Sequence, residues 1–79
     1  MDSKIWCVHT MIDSADQARL IAREAVEGRR AACVQIESGI TSVFRWKDSL
    51  ESVPETRLVF KLSSAGKDAL ISWLRDRHP

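Results

Sequence analysis

Apolar residues alternate with polar or small ones along three stretches of the chain and recur at helical spacing along two others. The longest alternating stretch is Arg29 to Trp46, RRAACVQIESGITSVFRW. Val34, Ile36, Ile40, Phe44 and Trp46 share even parity, which on a period-two backbone places them on one face. Cys33, Gln35, Thr41, Val43 and Arg45 take the other face, a mixed set suited to water or to a second subunit. Gly39 falls in the middle, where loss of a side chain lets a strand bulge or bend. The pattern predicts one long, kinked strand whose even face needs a cover.

Before it, Lys4 to Ile12 sets Ile5, Cys7, His9 and Met11 against Trp6, Val8, Thr10 and Ile12, so both faces are largely apolar, as in a strand covered on both sides. Ser14 followed by Gln17 makes a capping-box pattern, and Asp16 adds negative charge to the first turn of the helix it opens. Ala18, Ile21, Ala22 and Ala25 form a narrow stripe of small residues, Gly28 supplies the C-cap, and Arg23 and Glu27 are spaced to pair on the solvent side. After the long strand, Lys47-Asp48-Ser49 reads as a turn. Thr56, Leu58, Phe60 and Leu62 alternate with Arg57, Val59 and Lys61 as a returning strand, and Pro54 marks its start as an edge or bulge. Ser63 or Ser64 caps a second helix with Ala69, Leu70, Trp73 and Leu74 on one side, and Pro79 stops it.

Strand, helix, strand, strand, helix is the order of the first five elements of the six-element ferredoxin-like sandwich. The fold class is therefore α+β: an incomplete β-α-β-β-α sandwich with two helices on one face of an antiparallel sheet. The third strand is expected between the first and second. The missing sixth element would cover the free edge of the first, so a longer gene product or another subunit is expected to fill that place.

Composition narrows the function. At 79 residues the chain makes one domain, residues 1–79, near the size at which a single core is marginal and partners are common. A net charge of +1 gives no electrostatic footprint for nucleic acid or an anionic membrane. The N-terminal stretch lacks a secretory signal pattern and no apolar run approaches the roughly 18 residues of a membrane span, so the expected location is cytoplasmic. Cys7 and Cys33 are too few for a disulfide framework and are expected as buried thiols. Two strand spacings, about 9–10 Å, separate them in this topology, beyond the roughly 7 Å limit for a bridge.

Arg30-Ala31-Ala32-Cys33-Val34 followed by Ile40-Thr41-Ser42-Val43-Phe44-Arg45-Trp46 resembles the signature strand of the CutA divalent-cation tolerance family. The preceding helix, Glu55, Lys61 and the closing His78-Pro79 fall where that family has corresponding residues. Leu62 stands for the family's usual Thr, Phe44 for its Tyr and Asp48 for its Gly, and the strand and last helix that follow His-Pro in the family are missing. The resemblance implies a homotrimer built around the long hairpins, tolerance of divalent metals, and copper binding through a Cys near the end of the first strand and a His-His pair before the Pro. Thr10 stands at the Cys position and Arg77 at the first His position, which leaves His78.

Metal candidates are thus His78 and, beside Thr10, His9, with copper or another divalent cation held weakly because few donors remain. Adjacent strand residues point to opposite faces, so His9 does not simply replace the side chain at Thr10. Trp6, Trp46 and Trp73 are expected in core or interface packing rather than as a base-stacking platform, because the third strand lacks the Gly-interleaved aromatic pattern of such modules. No triad, phosphate loop or carboxylate pair is present, and no enzyme activity is expected. A rival from another class is a small-molecule-sensing or scaffolding trimer with the architecture of nitrogen-regulatory signalling proteins.

Overall fold

A computed structural model describes residues 4–77 of the chain. Strand β1 (Ile5–Ile12), helix α1 (Ala15–Glu27), strands β2 (Cys33–Trp46) and β3 (Ser49–Ser63), a single 3-10 turn (Ser64–Gly66) and helix α2 (Lys67–Arg77) follow in order. The strands make one antiparallel sheet in the order β1-β3-β2, with both helices on one face, the incomplete ferredoxin-like arrangement. Among the described residues β1 has one hydrogen-bonded neighbour, an edge position despite its doubly apolar pattern.

Local chemistry sets the start of α1 as the sequence indicates. The Ser14 hydroxyl accepts from the Gln17 amide at 3.2 Å, and Ala18, Ile21, Ala22 and Ala25 are all buried. Arg23 and Glu27 approach at 3.9 Å on the exposed side. Gly28 is the C-cap, but the left-handed residue that closes the helix is the next one, Arg29, at φ 59°. The Arg29 amide donates to Val26 O and the Arg30 amide to Ala25 O, the two bonds of a Schellman ending with arginine where glycine is usual.

The core is assembled on the even residues of β3. Leu58, Phe60 and Leu62 pack with Ile12 of β1, the small stripe of α1, and Leu70 and Leu74 of α2. Trp73 packs against the margin of this cluster, whereas Ala69 is exposed; α2 is entered through the 3-10 turn, with no cap hydrogen bond from the Ser63 side chain. β3 is longer than its alternation suggests, since it begins at Ser49 directly after a two-residue turn. Lys47 and Asp48 take φ 49° and 65° there, the backbone of the tight hairpins whose twist matches that of the strands. Pro54 lies within β3, opposite Thr41 and beyond the end of β1, where the strand has one neighbour and a missing donor is tolerated.

The kink expected at Gly39 is a β-bulge. Between the pairs Glu37–Arg57 and Ile40–Glu55, β2 carries one residue more than β3, and Gly39 adopts φ 73°. An extra residue reverses side-chain parity, which corrects the single-face assignment of the even residues. Val34 and Ile36 pair with Phe60 and Leu58 on the helix side, whereas Ile40, Phe44 and Trp46 pair with Glu55, Glu51 and Ser49 on the opposite side. Val43 and Arg45 take the helix side in the outer half, where no helix reaches. Phe44, Val43, Trp46 and Leu50 are 43, 63, 61 and 70% exposed. The outer hairpin is thus a two-stranded arm projecting from the packed body, and the molecule measures 48 × 25 × 21 Å.

A Cβ at position 39 would meet nothing within 4 Å, so the constraint there is the positive φ and not space. Gly39→Val is expected to cost about 1–2 kcal/mol, the penalty of a left-handed L-residue, read as a lower midpoint in urea. An unchanged midpoint would show that β2 can run straight through.

Candidate functional site

One face of the sheet carries both helices and the other carries neither. On the open face the register sets Cys7, Lys61 and Cys33 in one row across β1, β3 and β2, then His9, Val59 and Gln35, then Met11, Arg57 and Glu37. Both cysteines are free and exposed, which corrects the expectation that they are buried. They alternate onto the face that the helices do not cover, and Lys61 stands between them, so they are two strand spacings apart. Of the tryptophans, Trp73 is packed, while Trp6 and Trp46 are exposed. Cations lie against all three rings: Lys67 at 4.4 Å from the Trp6 centroid, Lys47 at 5.8 Å from Trp46, and Arg30 and Arg77 at 4.9 and 5.8 Å from Trp73.

In the third row Arg57 holds Glu37 in a forked pair, with Nε to Oε1 and Nη2 to Oε2 both at 3.1 Å. Hydrogen bonding and then charge from Arg57 keep the Glu37 carboxyl below the ordinary carboxylate range, and His9 adds a smaller pull. The reciprocal effect raises Arg57. Nothing in the sequence flags this pair, because the partners are 20 residues apart and only the strand register makes them opposite.

His9 is exposed on β1, and with Val8 and Thr10 it lines a shallow groove whose other wall is Ile71, Leu74 and Arg75 of α2. The end of the first strand and the end of the second helix are therefore brought to one edge of the sheet, as the topology requires. Thr10 pairs with Leu58 on the helix side and is half-buried, while His9 alternates to the open side. The other candidate donor, His78, lies outside the described residues. Among the described residues no group of three or more His, Cys, Asp or Glu side chains is placed to hold a metal ion. No helix among them is long and apolar enough to cross a membrane.

The family described as CutA1 divalent ion tolerance protein matches residues 6–79. The chain belongs to this family. It is 42% identical over 62 residues to the CutA homolog of Xenopus laevis, a match covering 78% of this chain and 41% of that protein. The CutA of Synechococcus elongatus superposes with a TM-score of 0.92 at 32% identity, over 99% of this chain and 69% of that one. The Cut A1 divalent cation tolerance protein of Thermus thermophilus superposes with a TM-score of 0.86 at 33% identity, over 96% of this chain and 74% of that one. The chain thus spans about two-fifths of the length of the Xenopus relative and about seven-tenths of the two CutA structures.

The Glu37–Arg57 fork gives this CutA chain a pH signature. A carboxyl whose folded pKa is depressed adds stability above its unfolded value, about 4.3, and that contribution is lost as pH falls through the folded value. Glu37→Gln should therefore lower the urea midpoint at pH 7, with the difference from the parent closing as the medium is acidified. A gap that stays constant with pH would mean the fork is electrostatically silent.

Proposed function

We propose that this chain, acting as one domain, serves tolerance of divalent metal ions as a homotrimer and holds copper or another divalent cation weakly. The observation that carries the assembly is the outer hairpin. Four large apolar side chains at its end remain 43–70% exposed, and covering the rest of each would yield about 1–2 kcal/mol. Membership of the CutA1 family supports the metal role, and no catalytic step is assigned to the chain.

Ligand count limits the affinity. His9 and Thr10 alternate to opposite faces, and the described residues of one chain supply no three-donor cluster, so a site would draw on His78, on His9, or on donors from neighbouring subunits. The same lack of a described cluster favours a second reading, a small-molecule-sensing or scaffolding trimer in which metal tolerance is indirect.

Light scattering on the eluted protein is expected to give three times the chain mass, with thermal stability falling on dilution; a well-folded monomer at micromolar concentration refutes the assembly. Calorimetric titration of Cu(II) should show weak uptake that drops in His78→Ala and, to a lesser degree, in His9→Ala. Parent-like binding by both variants removes the histidines as ligands and promotes the second reading.

A further inference from the structure

Where α1 ends and α2 begins, a groove of about 470 Å3 is lined by Arg29, Arg30, Ala32, Leu62, Ser63 and Gly66 among others, with no carboxylate in its lining. The acids nearby are committed elsewhere. Glu24 pairs with Arg77, Glu27 with Arg23 and Asp68 with Lys67, which leaves Arg29 and Arg30 without a carboxylate partner among the described residues. The Arg30 guanidinium is oriented by the Trp73 ring at 4.9 Å. Ser63 precedes the 3-10 turn with no side-chain hydrogen bond to it, so its hydroxyl is available.

Arg29 is also the residue that closes α1 in the left-handed conformation, a position where glycine carries no steric penalty and arginine does. An arginine at a strained backbone position, beside a second arginine that also lacks a carboxylate partner among the described residues and beside a hydroxyl, is an arrangement for recognising an oxyanion. We propose that this groove binds a phosphate-type anion, free or as a small phosphomonoester, gripped by Arg29 and Arg30 through charge-assisted hydrogen bonds. The planar guanidinium fork matches two oxygens of such a group, which a lysine would not. The site is separate from the metal reading and does not rest on it.

The test is titration of the isotopically labelled protein with inorganic phosphate and, separately, with glycerol 3-phosphate, in metal-stripped buffer, following amide signals by NMR. Saturable shifts confined to residues 29–32 and 63–66 are expected, and tighter binding of the ester would identify an esterified ligand. Arg29→Gly should raise Tm by relieving the positive φ and at the same time weaken binding by about tenfold or more. A structural role alone would not couple those two changes in opposite directions. Arg30→Gln should also weaken binding, and Arg23→Gln, outside the groove, should leave it unchanged. Absence of saturable shifts in the parent, parent-like affinity in both groove variants, or an equal loss in Arg23→Gln overturns the proposal. A Tm that falls in Arg29→Gly overturns the claim that arginine is held there under strain.

Discussion

One extra residue in β2 governs the shape of this molecule. At Ser38–Gly39 the chain places two residues against one of β3, and the positive φ of Gly39 lets the backbone make that step. On the inner side of the bulge the even residues of β2 face the helices; on the outer side the odd ones do. The helices lie over the inner half, so the apolar residues beyond the bulge are left uncovered on both faces. The forked pair of Glu37 and Arg57 sits at the last regular pair before the step, where the reversal begins. A slip of one residue there would exchange every side chain of β2 between the two faces.

The packing follows from this division. Leu58, Phe60 and Leu62 supply the floor of the core, and all lie inside the bulge, as do Ala31 and the partly buried Val34. The stripe on α1 is mostly alanine, so that helix approaches the sheet closely, and larger volume comes from Ile21, Leu70 and Leu74. Close approach also explains why the α1 ending is tight. Two backbone bonds to Val26 and Ala25 turn the chain straight into β2, and the left-handed position they require falls on Arg29.

Much of this was legible in the sequence where the signal is local. The Ser14–Gln17 cap, the α1 stripe, the alternation on β3 and the Gly39 kink each depend on residues within a few positions of one another, and all appear as read. What the sequence hid depends on register. Parity counted from Val34 to Trp46 ignores that a bulge changes the count, and so placed Phe44 and Trp46 on one face with Val34 and Ile36. The cysteines looked buried because cysteine usually is, but Cys7 and Cys33 alternate onto the face without helices. The candidate site is only partly legible: the alternation of His9 and Thr10 follows from the strand, while the groove that His9 shares with α2, the fork of Glu37 and Arg57 and the stacking of Arg30 and Arg77 on Trp73 join residues distant in sequence.

The outer arm poses the energetic problem that the rest of the fold does not solve. Ordering the backbone costs about 1–2 kcal/mol per residue, and inside the bulge hydrophobic burial against the helices offsets that cost. Outside it, residues 40–54 have only the ladder between two strands, and a two-stranded hairpin alone is marginal in water. None of the buried core residues comes from that segment. Its tight turn lowers the cost of closure but covers no side chain. An ordered arm ending in Phe44, Trp46 and Leu50 is therefore stable to the extent that another surface covers it, which ties the length of the hairpin to association rather than to the core of a single chain.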